Sequence, residues 1–245
     1  MDGDLLKLTS EQRKKGILLF LTGLFILNVV FFINFALVVF DFSHYKVQFE
    51  ELDRVEFTKI TEPELYRITG EILEYLKLAR DDIDIIAVID GEKEQLFTER
   101  ELIHMDDVRE LFKNGYIILG ISIILLFSFG YFSVIYFKRK LNLDNKVLSA
   151  AIVTKWSSLI GVVIMASLGI IFYLGFDFWY DQLHIWMFDN DYWLLNPDTH
   201  NLIRIFPVPF FYNTITRIIT RTLGHMVLII FISLAIEKYR SQRAV

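Results

Sequence analysis

Residues 17–40 read ILLFLTGLFILNVVFFINFALVVF, 24 consecutive positions without a charged side chain. A helix needs about 20 such residues to cross the hydrocarbon core of a bilayer, so this run reads as a transmembrane helix and sets the class of the chain. Its apolar stretch exceeds that of a cleaved signal sequence, and NFALVVFD offers no A-x-A-like cleavage site, so the segment is expected to stay attached.

Three more apolar runs follow at 116–137, 158–176 and 219–236, in a chain of 245 residues that is 54% hydrophobic and 16% aromatic. The inner segments 1–16, 138–157 and 237–245 hold 12 Lys and Arg against 5 Asp and Glu, whereas 41–115 and 177–216 hold 25 acids against 11 Lys and Arg. Positive charge collects on the cytoplasmic side. The expected architecture is therefore an all-α membrane protein with four transmembrane helices and both termini cytoplasmic. An extracellular domain of helices with a small β-hairpin lies between spans one and two, and an interfacial helix in 177–218 lies between spans three and four.

The net charge of −5 averages two opposite faces and carries no message about nucleic acid, for which no motif is present. With no cysteine, disulfides, a thiolate metal site and a thiol acyl-enzyme are excluded. HExxH, GxSxG and Gly-rich phosphate loops are likewise absent.

Within 41–115, Thr61-Glu62-Pro63-Glu64 has capping-box spacing and predicts a helix over 62–78, with Leu65, Ile68, Ile72, Leu73 and Leu76 on one face. DIDIIAVIDGEKEQLF predicts a hairpin turning at Asp90-Gly91, which must lean on the helices or the bilayer. A second capping box, Thr98 to Glu101, starts a helix that can run unbroken through His104 into span two.

Wound as a helix, 177–193 lines up Asp177, Asp181, His184, Phe188 and Asp191, with Trp179, Trp186 and Trp193 opposite. Tryptophan prefers the headgroup level, so these three read as interface anchors while the histidine stripe faces protein or an aqueous pocket. A break at Asp189-Asn190-Asp191 would remove Asp191 and Trp193 from this alignment. His184 reads either as a surface histidine in a hydrogen-bond network or as an acid–base catalyst oriented by Asp181 or Asp177. His104 reads either as a satisfied buried histidine held by Asp107 or as the partner of His184.

Arg217, Arg221 and His225 form a stripe at the outer end of span four, suited to snorkelling, to pairing with loop acids, or to clamping a lipid carbonyl or carboxylate. Asn28 and Asn34 read as interhelical hydrogen-bonding residues. The adjacent pairs His104-Met105 and His225-Met226, with Met187 beside His184, have no recognisable metal-ligand spacing, so no metal is expected.

The patterns ERELIHMDDVRELF, FWYDQLHIWMFDNDYWLLNP and NLIRIFPVPFF, in a four-span chain, resemble the lipoprotein intramolecular transacylases of low-GC Gram-positive bacteria. The resemblance covers about a fifth of the chain closely, 98–116 and 177–211, and elsewhere only the order of spans. It implies a diacylated lipoprotein substrate in a bacterial cell membrane and transfer of its sn-2 acyl chain to the α-amino group of the lipid-bearing cysteine. It also implies His104 and His184 as catalytic residues. Such a reaction uses the substrate's own amine as nucleophile, so neither a cofactor nor a protein nucleophile is needed. Membrane lipids are the other expected partner, and a monomer is the working oligomeric state. The competing readings are a non-enzymatic membrane protein with an acidic extracellular binding module and an interfacial phospholipid hydrolase.

Overall fold

The computed structural model describes residues 9–141 and 145–242. Residues 1–8 of the expected N-terminal segment, 142–144 of the basic loop and 243–245 of the tail lie outside them. In chain order the elements are α1 (Ser10–Val39), α2 (Phe42–Glu51), α3 (Arg54–Thr58), α4 (Glu62–Leu76), β1 (Ile86–Ile89), β2 (Glu92–Gln95), α5 (Glu99–Lys140), α6 (Lys146–Leu174), α7 (Phe176–Met187), α8 (Asn201–Ile205) and α9 (Val208–Gln242). Helices α1, α5, α6 and α9 are long and apolar enough to cross a membrane.

All four long helices reach further than the expected spans, α1 by beginning at Ser10. Most of the basic segment 138–157 is helical, because α5 continues to Lys140 and α6 begins at Lys146 in a run of good helix formers. The helix containing span four begins at Val208, since Pro209 falls in its first turn, where a missing N–H costs nothing.

The chain divides into two compact units. One comprises the chain up to Asn34, Ile118–Ile170, and the chain from Ile219 onward. Lipid offers little hydrophobic drive for helices to associate, so small residues and polar pairs take over. Gly23 meets the Ser157 backbone so closely that an added Cβ would lie 2.5 Å from its carbonyl oxygen. Thr22 bonds Ser133 at 2.9 Å, and Ser122 donates to Asn28 at 2.7 Å. Asn34 accepts from His225 Nδ1 at 2.9 Å, so both asparagines hydrogen-bond between helices.

The second unit comprises Phe35–Ile117 and Ile171–Ile218. Its core is built on the predicted stripe of α4, with Leu65, Ile68, Ile72, Leu73 and Leu76 all buried against Ile85, Ala87, Ile89, Leu96 and Phe97. The hairpin pairs Ile86 with Gln95 and Ile89 with Glu92. Asp90 and Gly91 both have positive φ, 51° and 86°, as a tight two-residue turn requires.

The two capping boxes differ. Thr61 makes no side-chain cap, and Glu64 turns instead to Arg67 and to the Val88 N–H, at 3.1 Å, and so ties the hairpin to α4. Thr98 and Glu101 do close theirs: Glu101 Oε2 accepts from the Thr98 N–H and hydroxyl, each at 2.8 Å. The fully buried Glu101 also accepts the Leu202 N–H at 2.6 Å, joining the start of α5 to α8.

Candidate active site

His104 lies on the first turns of α5, twelve residues before Tyr116 and outside the apolar stretch of that helix. The packed face predicted for it is real, and the residue is only 8% exposed. Across from it, α7 delivers His184, with ring centroids 6.2 Å apart. Phe188 touches both rings, at 5.3 Å from His104 and 5.8 Å from His184.

The orientation of His184 departs from expectation. Its Nδ1 lies 2.7 Å from the Tyr180 carbonyl, which can only accept, so the ring proton sits on Nδ1 and Nε2 keeps its lone pair. Asp181 acts only as a nearby charge on an exposed position. Asp177 is exposed on a separate cleft of about 500 Å³ lined by Phe176, Phe178, Val208 and Tyr212. The orienting group is thus a backbone carbonyl of the helix itself rather than either carboxylate.

Burial pushes the His184 pKa down, opposed by the Tyr180 carbonyl and by Asp181. Burial, reinforced by His184 and opposed by Asp107, takes His104 down to about 4. Both rings are neutral at neutral pH. His104 Nδ1 is buried with no hydrogen-bond partner among the described residues. An orphaned N–H costs more than an under-satisfied acceptor, so the ring proton belongs on Nε2. Asp107 does not hold the His104 ring as expected; its Oδ2 accepts from Asn190 Nδ2 at 2.8 Å.

The tryptophans divide. Helix α7 ends at Met187, so Trp193 leaves the stripe and stacks on His184, 4.9 Å away and 26° from parallel. Tyr180 also contacts the His184 ring, at 4.4 Å. Trp179 and Trp186 remain together on α7, 6.0 Å apart, with Trp186 exposed. Trp193 is therefore part of the site and not an exposed anchor beside them.

A family model described as lipoprotein intramolecular transacylase Lit matches residues 18–211. The chain belongs to this family. It is accordingly a membrane-integral transacylase acting on lipoproteins. Among curated protein sequences nothing matches it. Its fold is similar to the in meso structure of Lit from Bacillus cereus, with a TM-score of 0.70 and 17% identity over 94% of this chain and 99% of that one. Two further structures of the Bacillus cereus protein, one with a histidine-to-arginine and one with a histidine-to-alanine mutation, match at 16% identity and the same TM-score. Each covers 94% of this transacylase, and they are themselves covered to 95% and 96%.

A further histidine, His44 on α2, lies outside the motifs that stand out in the sequence. It is buried and accepts from Arg217 Nη1 at Nδ1, 2.9 Å, which leaves its Nε2–H to donate to Thr214 at 2.9 Å. Arg217 also bonds Asp41 at 3.1 Å, so pairing with loop acids describes this member of the basic stripe. Arg221 follows at a half-buried position on α9. The signal for His44 was available in the polar spacing Asp41, His44, Gln48, Glu51 along one face of α2. Arg100 and Asn190 also bear on the site, although by spacing the first reads as part of a capping box and the second as a helix breaker.

Proposed function

We propose that this transacylase moves the sn-2 acyl chain of a diacylglyceryl-cysteine to that cysteine's α-amino group, using His104 and His184 on the extracellular side. The observation that carries the reading is the pairing of the two rings, 6.2 Å apart, whose hydrogen bonding assigns an Nε2 lone pair to His184 and an Nε2–H to His104.

The free amine attacks the ester carbonyl, forming the N–C bond while His184 Nε2 takes the departing N–H proton. His104 Nε2–H donates to the resulting oxyanion, a task a neutral imidazole performs without a net charge in an apolar site. Collapse breaks the bond to the sn-2 oxygen, and the His184 imidazolium returns its proton there. The products are an amide on the cysteine and a free glyceryl hydroxyl. Donor and acceptor share one molecule, so the proximity advantage comes with the substrate. The extracellular placement rests on the excess of Lys and Arg in the inner segments.

Two diacylated lipopeptides of different sequence, only one carrying a deuterated sn-2 chain, test this. Incubated together with the purified protein, each is expected to keep its own chain, now on its amine, by tandem mass spectrometry. Crossover of label rules out the intramolecular route. Release of free fatty acid without amide formation favours hydrolysis.

A further inference from the structure

The segment after α7 is stitched to α5 on either side of His104. Asn190 Nδ2 donates to Asp107 Oδ2 at 2.8 Å, while Asn190 Oδ1 accepts the Tyr192 N–H at 3.0 Å and shapes the turn. Arg100 donates to the backbone carbonyls of Asp191 and Leu194, pairs with the Asp191 carboxylate at 3.3 Å, and lies over the Tyr192 ring at 5.5 Å. Arg100 precedes His104 by one helical turn and Asp107 follows it by nearly one. Between these two attachments the chain carries Trp193 onto the face of His184.

We infer that Arg100, Asp107 and Asn190 are positioning residues that clamp Trp193 over His184, so that α5 sets the register of the base against its own His104. This rests on the acyl transfer proposed above and explains a feature that mechanism leaves unused. Among the described residues one hydrogen bond, to its own helix, holds the His184 ring, which leaves the imidazole able to rock about that bond. The indole stacked at 26° and the Tyr180 ring at 4.4 Å remove that freedom and shield the imidazole from water. The charged and titratable groups acting at the ring are His104 from α5, and Tyr180 and Asp181 from α7, while Asp107 acts on His104.

The test uses the full chain in lipid nanodiscs with a synthetic diacylglyceryl lipopeptide. Asn190→Asp keeps the oxygen that accepts from Tyr192 but sets two carboxylates face to face. It is expected to lower kcat about 10- to 100-fold with KM unchanged. The acid-side break in kcat should also move upward, because water reaching His184 relieves the desolvation that favours its neutral form. The reciprocal exchange Asp107→Asn with Asn190→Asp restores one donor and one acceptor and should recover both readouts. Trp193→Phe keeps an aromatic face on His184 and should lose less kcat than Trp193→Ala, which should behave as Asn190→Asp. Should Asn190→Asp fail to fold, the Trp193 pair decides. Wild-type kcat and an unmoved break in Trp193→Ala, or in a folded Asn190→Asp, overturn the inference. Parallel His104→Gln and His184→Gln variants keep the two ideas apart: if they remain active, the acyl-transfer chemistry is misplaced whatever the clamp does.

Discussion

His184 keeps a lone pair on Nε2 because its Nδ1–H donates to the Tyr180 carbonyl, and this bond is supplied by the helix that carries it. Its basicity is then set by opposing effects, burial lowering the pKa and the carbonyl and Asp181 raising it, with burial ahead. A base must be neutral to accept a proton, so activity is lost as pH falls through its pKa. A lowered pKa moves that loss to more acid pH. The substrate amine titrates near pH 8 and imposes its own limb. The account therefore predicts that log kcat falls with unit slope below about pH 8 and steepens to a slope of two only below the ordinary histidine value near 6.5. A stopped assay across pH 4.5 to 9, about the range between the two ordinary limbs and beyond, reads this directly. A slope of two already present above pH 6.5 would contradict a base whose pKa burial holds below the ordinary value.

Glu101 does more for the elements than a helix cap usually does. One buried carboxylate satisfies the Thr98 N–H and hydroxyl with one oxygen and the Leu202 N–H with the other. Glu101→Ala orphans these groups, and hydrogen bonds to a charged partner contribute about 1.5–3 kcal/mol each. The variant should lose at least about 3 kcal/mol, seen as a large drop in Tm in detergent, while Glu101→Gln loses less. The capping spacing, the α4 stripe and the Asp-Gly turn were legible in the sequence because each is a pattern within a few residues. Helices α2 and α3 were not, since Phe42–Glu51 and Arg54–Thr58 lack a strong apolar period and owe their form to packing in the core. The site divided in the same way. His104 and His184 stood out by their surroundings and the family resemblance, but the stack of Trp193 on His184 depends on α7 stopping at Met187 and on a bond between Asp107 and Asn190, 83 residues apart. Nothing local encodes that pairing, so Trp193 read as an anchor and Asp107 as a support for His104.

At the scale of the whole molecule, four long apolar helices and an uneven distribution of charge give a topology that can be checked simply. The chain has no cysteine, so single-cysteine variants need no background correction. A membrane-impermeant maleimide should label Glu94→Cys on intact cells and Arg139→Cys only after permeabilisation; the reverse would put the candidate site on the cytoplasmic side. Within the second unit, residues far apart in the chain converge so that one neutral histidine offers a proton and the other a lone pair, beside a clamp that holds an indole against the base. That pair is the central claim, and the position of the acyl chain on a lipopeptide is its most direct measure. Incubated with wild-type protein, the N-terminal peptide should carry its sn-2 chain on the amine. His104→Gln and His184→Gln, folded to the wild-type Tm, should each slow that transfer by about 100-fold or more. Transfer at the wild-type rate by either folded variant would contradict the account.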